Sequence, residues 1–207
     1  YEMYKNCKPD ILAVAENGME VIDLVRKMRA LEEGKIALRL QPCSLAKLLN
    51  DSAMMVRTKY AAKKVSLLVE ADASIMALVE PASFLNTVLN NLLTNALKFS
   101  FPEAKVHIRT FKHRSNAVVT VTDYGVGIPK KILDIIFDVG RPTSREGTAG
   151  EVGTGFGMPL VKRFVEAYGG SITISSKEMN ADKPSCEHGT EVRIELPIPV
   201  TDAKSAV

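Results

Sequence analysis

Cysteine is scarce in this chain, and the three present stand alone. Cys7, Cys43 and Cys186 form no pair with zinc-finger or redox spacing, which argues against a disulfide framework or a zinc knuckle and leaves reduced thiols in a cytosolic compartment as the expectation. Blocks of like charge are missing too. The 27 Lys and Arg against 24 Asp and Glu leave a net charge of +3 that is spread along the chain. Neither nucleic acid nor an anionic membrane is suggested as a partner. No apolar run is long enough to cross a bilayer, no signal peptide precedes the first helix, and there is no internal repeat or low-complexity tract. The chain opens with Tyr1 rather than Met, which reads as a piece of a longer protein. Its 207 residues suffice for one good core plus an appendage.

What is there alternates between helical and strand patterns. Residues 1–9 form a polar lead-in ending at Pro9, and Asp10 is a candidate cap for a long amphipathic helix from about Ile11 to Glu33. Val21, Leu24, Val25, Met28 and Leu31 give it a bundle or coiled-coil seam, and Gly34 a stop. Alternation predicts a strand over Ile36–Leu40. Ser44 then caps a helix from Leu45 to about Ala62. Strands are predicted at Val65–Glu70 and Ile75–Val79, and paired strands at Val106–Phe111 and Ala117–Thr122 about the turn His113–Asn116. A short helix is expected over Ile132–Phe137, a Gly- and Thr-rich loop over Asp138–Val152, and a helix from Pro159 to Tyr168 stopped by Gly169-Gly170. Strands Ser171–Ser176 and Glu191–Leu196 close the domain before a polar tail. Long helices followed by hairpins predict an α/β two-layer sandwich, a mixed sheet with helices on one face, preceded by the long helix. The expected division is 1–34, 35–200 and a flexible tail 201–207.

The centre of the pattern is FLNTVLNNLLTNALKFS, Phe84–Ser100, whose helix opens at Pro81. Its apolar residues form one broad face, and Asn91, Asn95 and Lys98 share a strip beside it. Asparagine is a poor helix-interior residue, so Asn86, Asn90, Asn91 and Asn95 in one helix are unusual. A neutral amide oxygen suits a hard cation, and a lysine one turn on suits phosphate. Taken alone, the strip also reads as a solvated helix face. Downstream, Asp123 leaves a strand in DYGVG, where a carboxylate can accept from an exocyclic amine such as that of adenine; a plain Asp-x-Gly turn fits as well. Gly153-Thr-Gly-Phe-Gly157 precedes a helix and can offer free N–H groups to an anion. It is not a G-x-x-x-x-G-K-[ST] phosphate loop, and it opens no N-terminal βαβ unit of the dinucleotide type.

In this order and spacing, the three stretches resemble the Bergerat-type ATP-binding fold. The sequence is most similar to the catalytic and ATP-binding domain of sensor histidine kinases. NLLTNALKFS matches that family's Asn box, DYGVGIP its first glycine box, IFD its Phe box and GTGFGMPLVK its second glycine box, with GTEVRIELP matching the close. The resemblance covers about Ile36 to Pro199, and VIDLVRKMRALEEGKIAL looks like the second helix of a dimerisation and phosphotransfer hairpin. It implies that Asn95 binds Mg²⁺ with Asn91 beside it at the phosphates, that Lys98 meets phosphate and that Phe99 packs on the base. It further implies that Asp123 binds the adenine amine between Gly125 and Gly127, that Gly153, Gly155, Phe156 and Gly157 serve the phosphates, and that Thr190 supports the adenine site. Residues 138–152 would be the ATP lid, with Arg141 or Arg145 reaching the γ-phosphate.

The implied cofactors are ATP and Mg²⁺. The implied partners are a response regulator receiver domain and, through the hairpin, a second copy of the intact protein, on the cytoplasmic side. Some positions depart from the family pattern. The Phe box keeps Phe137 without a second phenylalanine, and Phe156 and Pro159 replace commoner aliphatic and Ala residues. His107, His113 and His188 are the only histidines, and none lies on an N-terminal helix before an acidic residue; all three read as structural or solvent-exposed. An alternative is therefore a nucleotide-gated switch of the same fold without phosphoryl transfer. A gyrase- or chaperone-type ATPase is disfavoured, because those enzymes carry a Glu where Asn91 stands.

Overall fold

The computed structural model describes residues 38–141, 143–151, 153–179 and 188–199, preceded by positions 22, 26, 29–31, 33 and 34. The expected helix at 11–33 lies largely outside the described residues. Positions 22, 26 and 29–31 are helical, and Gly34 has φ +64° and donates to the Leu31 carbonyl at 3.1 Å, the left-handed stop that glycine takes without strain. Of the two boundaries between the expected segments, the first follows Gly34, with residue 35 outside the described set, and the second, at 200–201, lies wholly outside it.

The elements run β1 (Gln41–Ser44), α1 (Leu45–Lys63), β2 (Ser66–Glu70), β3 (Met76–Val79) and α2 (Pro81–Ser83). A π-helical stretch (Phe84–Leu89) joins α2 to α3 (Asn90–Phe99). Then come β4 (Lys105–His113), β5 (Asn116–Asp123), α4 (Lys130–Leu133), α5 (Gly157–Ala167), β6 (Ser171–Lys177) and β7 (Gly189–Pro197). Five strands form a sheet in the order β2-β4-β5-β7-β6, with β2 and β4 parallel and every other pairing antiparallel. This is the mixed sheet that the sequence predicts. Residues of α1, the π-helical stretch, α3 and α5 share one buried cluster with Val106, Ile108, Val119, Val121, Ile194 and Leu196, so the helices cover a single face. Each such fully buried aliphatic side chain contributes roughly 1.5–3 kcal/mol.

Three details differ from the sequence expectation. The first strand lies at Gln41–Ser44, not Ile36–Leu40; residues 38–40 belong to no strand, and Leu40 N–H folds back to the Leu38 carbonyl. It pairs with β3 as a separate two-stranded ribbon, where Pro42 is tolerated because one edge needs no donor. Ser44 ends this strand and, as expected, caps α1, its hydroxyl accepting from Lys47 N–H at 3.4 Å. The short helix spans Lys130–Leu133 rather than Ile132–Phe137, since Pro129 fixes the start and its carbonyl accepts from Ile132 and Leu133 N–H, each at 2.9 Å. The third detail is the π-helical stretch inside the central helix.

That stretch changes the phase of the helix. Asn90 N–H reaches five residues back to Leu85. The wider turn lets Thr87, Val88 and Leu89 all be buried in succession before the regular spacing of Leu92, Leu93, Ala96 and Leu97 resumes. At the start of the run, the Glu80 carboxylate accepts from Ala82 N–H at 3.2 Å and Ser83 N–H at 2.7 Å. Replacing Glu80 by Ala removes this cap and is expected to cost about 1 kcal/mol of stability, read from a urea unfolding curve.

The position of Asp123 follows from strand register. In β5, Ala117, Val119 and Val121 point into the core, with Val121 opposite Ile108 and Val119 opposite Thr110 of β4. A period of two carries Asp123 to that same face, opposite Val106, at the strand end. A carboxylate thus sits beneath the helices with the apolar residues, whereas the outer face carries Arg109, Phe111, Arg193 and Glu195.

Candidate functional site

A cavity of about 410 Å³ opens between α3, the sheet end and the loop before α5. That is within the roughly 300–1,000 Å³ usual for small-molecule pockets. Asn91, Asn95, Lys98 and Phe99 line it from α3, Asp123 and Thr190 from the sheet, and Arg145, Gly153, Gly155 and Gly157 from the loop and the start of α5. Ile128, Ile132, Ile174 and Val192 supply an apolar wall. Four other sequence-selected residues do not border it. Gly125 packs against the Phe99 carbonyl and Gly127 against that of Lys177. Phe156 is half-buried at the foot of α5. Arg141 lies in a separate cleft of about 470 Å³ with Phe137, Lys162 and Glu166.

Asp123 is buried. One carboxylate oxygen accepts from Gly125 N–H at 3.0 Å, and the backbone N–H of Thr190 also serves it. Burial pushes its pKa up to about 6, although the two backbone hydrogen bonds and the neighbouring Arg145 guanidinium and His188 imidazole oppose the rise. Gly125 has to be glycine for space, because an added Cβ would overlap the Phe99 carbonyl. At Gly127, space and φ (+69°) demand it together, since a Cβ would overlap the Lys177 carbonyl.

Ser176 ties the turn to the sheet. Its hydroxyl lies 2.8 Å from the Gly189 carbonyl, 2.8 Å from Ile128 N–H and 2.9 Å from the Thr190 hydroxyl. A hydroxyl has one proton, and Ser176 gives it to the carbonyl, so Thr190 donates to Ser176. The remaining lone pairs of Thr190 stay available at the cavity as acceptors.

On α3, the Asn91 amide donates to the Thr87 carbonyl at 2.6 Å. Its oxygen lies 2.7 Å from where a Cβ on Gly157 would stand. No hydrogen bond reaches the Asn95 amide among the described residues. Desolvation lowers the pKa of Lys98; Glu151 opposes this, and Arg145 and Lys63 reinforce it. The Lys98 ammonium lies 5.0 Å from the Phe99 ring centroid, and the Arg145 guanidinium 4.7 Å from it. Arg145 also donates to the Gly127 carbonyl at 3.0 Å, joining the loop to the first glycine turn. A Cβ on Gly153 would stand 2.6 Å from the Lys98 ammonium, and one on Gly155 (φ +77°) 3.2 Å from the Thr143 hydroxyl. These glycines keep the backbone close to charged and polar groups.

Two of the three histidines stand away from the cavity. His107 meets the Tyr124 ring edge-on, and His113 accepts from Arg193 at 3.1 Å on the outer face. His188 is nearer than the sequence suggests: its Nδ1 donates to the Gly125 carbonyl at 2.6 Å. Lys63, which no sequence pattern singles out, gathers with Thr148 and Glu151 of the expected lid segment where α3 ends. Lys63 sits 34 residues before Leu97, whose carbonyl it reaches, and no local pattern announces that contact. Among the described residues there is no cluster of three His, Cys, Asp or Glu that could hold a metal, and no helix is long and apolar enough to cross a membrane.

The model of the histidine kinase-, DNA gyrase B- and HSP90-like ATPase family matches residues 80–200, more than half of the chain. The chain belongs to that family. Within this ATPase family its likeness is to the catalytic and ATP-binding domains of sensor histidine kinases. The circadian input-output histidine kinase CikA of Synechococcus elongatus is 29% identical over 171 residues, which cover 80% of this chain and 23% of that protein. The chain therefore spans about a quarter of the length of such curated relatives. Among solved structures, the histidine kinase ThkA in complex with the response regulator protein TrrA superposes with a TM-score of 0.70 at 18% identity, covering 93% of this chain and 51% of that one. Full-length ShkA in complex with AMPPNP gives 0.67 at 22% identity, covering 92% and 38%. The Bergerat-like α/β fold of this family agrees with the architecture described above.

Proposed function

We propose that the chain is the ATP-binding catalytic portion of a two-component sensor histidine kinase. In this reading it binds Mg²⁺-ATP and transfers the γ-phosphoryl group to a histidine outside this fragment. An aspartate on a response regulator receiver domain then receives the group. The observation that carries the reading is the meeting of a buried carboxylate, an Asn–Asn–Lys strip and a glycine-rich helix start around one cavity. The residues fit the ligand. Asp123 and Thr190 offer acceptors to the adenine amine, and the isoleucines and Val192 offer the ring an apolar wall. The Asn95 oxygen, at the cavity and free of hydrogen bonds among the described residues, suits Mg²⁺, which takes few protein ligands and keeps its waters and phosphate oxygens.

When bound, Mg²⁺-ATP supplies the transferable phosphoryl group and a neutralising cation. The chain supplies position and charge. Lys98 and Arg145 line the cavity with positive charge, and the N–H groups at the start of α5 would hold the phosphates. The proposal extends to a homodimer of the intact protein through its helical hairpin, acting in the cytoplasm without nucleic acid. The solved ThkA–TrrA complex supports a receiver domain as the partner.

The test supplies the hairpin of the intact protein in trans, with ATP labelled in the γ position. Acid-labile label on its histidine is the expected result, with Asn95→Ala reducing the rate by roughly 10²-fold. Absence of label while the chain binds ATP would overturn the kinase reading and favour the nucleotide-gated switch.

A further inference from the structure

The C-terminal end of α3 is held by an unusual set of partners. The Lys63 ammonium, from α1, donates to the Leu97 and Lys98 carbonyls at 2.9 Å each and meets the Glu151 carboxylate at 2.6 Å. Thr148 adds a backbone N–H to the Lys98 carbonyl at 3.0 Å and a hydroxyl that reaches both the Lys98 and Ser100 carbonyls. A helix C-terminus exposes unpaired carbonyls and partial negative charge, so a cation there is favoured. A glutamate is not. Glu151 is tolerated because it is neutralised by Lys63 and because its other oxygen accepts from Ala149 N–H at 2.9 Å.

The competitor for that carboxylate is Lys98. Glu151 and Lys98 both border the cavity. Gly147 fits between them so tightly that an added Cβ would stand 2.6 Å from Lys98 Cγ and would overlap the Glu151 carboxylate. Little separates the glutamate from the lysine that faces the phosphate end. Glu151 bonded to Lys98 would cancel the charge that a polyphosphate needs.

We propose that Lys63 is a positioning residue of the nucleotide site: it holds Glu151 in the cap of α3 and so keeps Lys98 free for phosphate. The inference rests on the nucleotide-binding reading. It gives α1, outside the recognised boxes, a part in setting ligand affinity. It also divides the loop, since Gly147–Glu151 is anchored on α3 whereas Thr143–Arg145 faces the ligand.

The test is calorimetric titration of the 207-residue chain with Mg²⁺-AMPPNP. Lys63→Met releases Glu151 onto Lys98 and is expected to weaken binding about tenfold, a fraction of what a lost charged hydrogen bond to phosphate costs. Adding Glu151→Gln to that variant removes the competing charge and is expected to recover most of the loss. Glu151→Gln alone is expected to tighten binding by about two- to threefold. A purely structural Lys63 would leave the double variant as weak as the single one, and that result overturns the proposal. So does a Glu151→Gln variant that binds more weakly than wild type, which is informative even where Lys63→Met fails to fold. A wild-type chain that binds no nucleotide overturns the nucleotide reading and this proposal together. A wild type that binds normally, beside an unaffected Lys63→Met, overturns the proposal alone.

Discussion

Asp123→Asn is expected to abolish adenine-nucleotide binding while making the folded chain more stable at neutral pH. The two effects share one cause. Asp123 ionises reluctantly because it is buried beneath the helices, and its pKa stands at about 6 against 3.8 in the exposed residue. The sign follows from proton linkage. Between those two pH values the folded state holds a proton that the unfolded state has released, so stability falls as pH rises through this window. At 1.36 kcal/mol per pH unit the charge costs the fold about 3 kcal/mol above pH 6.

Asparagine carries no charge and can still accept from Gly125 N–H, so the variant is expected to gain about 1–3 kcal/mol at pH 7. Its advantage should shrink as pH falls from 6 towards 4. What it loses is the acceptor for an exocyclic amine: its own NH₂ would face another donor. Sites built around such a bond reject a mismatched partner by about 10⁴-fold, so no binding should be measurable. Wild-type affinity should also fall as pH drops below about 6 and Asp123 takes up its proton. Chemical unfolding at pH 5 and pH 7 checks the stability half, and calorimetric titration the binding half. A variant both less stable and still able to bind would contradict the role given to Asp123.

The second large effect is expected from Gly125→Ala. Its φ is not in the left-handed region, so the objection to a side chain is one of space. The new Cβ would overlap the Phe99 carbonyl oxygen, stand 2.6 Å from the Phe99 carbonyl carbon and lie 3.1 Å from the Asp123 carboxylate. None of these can step aside cheaply. Phe99 is the last residue of α3, and its carbonyl accepts from Val126 N–H at 3.1 Å. Making room means pushing the end of α3, and with it Lys98, away from the first glycine turn.

A cost of about 3 kcal/mol is expected, which for a domain of this size lowers Tm by roughly 6–12 °C. Gly140→Ala is the control. That residue has φ +75° and nothing within 4 Å of an added Cβ, so only backbone strain of about 1–2 kcal/mol applies. Equal losses at the two positions would show that crowding against Phe99 is not what fixes Gly125.

These two residues also mark what could be read from the sequence. Strand alternation through Val119 and Val121 reaches Asp123, and the glycines beside it announce a tight turn; both are local signals. The apolar face of the central helix was legible in the same way, from spacing alone. Its π-helical stretch was not, because the phase shift falls within a mostly apolar run, Phe84 to Leu89, whose composition fits a regular helix as well. The first strand was misplaced by five residues. Pro42 discouraged a strand at the true position, and only its pairing with β3 shows that a two-stranded ribbon can hold a proline. The contacts of Lys63, Thr148, Glu151 and His188 near the site were not legible, although residues 148 and 151 fall within the expected lid, for one reason. Lys63, Thr148 and His188 each donate to a backbone carbonyl of a distant segment, Glu151 accepts from the distant Lys63 ammonium, and no pattern in their own neighbourhoods records those contacts.

The most direct test of the account is a calorimetric titration of the purified chain with AMPPNP, with and without Mg²⁺, beside an Asn95→Ala variant. Binding is expected to strengthen on adding Mg²⁺, and the variant is expected to lose that gain. Affinity unchanged by Mg²⁺ and by the loss of Asn95, or no binding at all by the folded wild-type chain, would contradict the account.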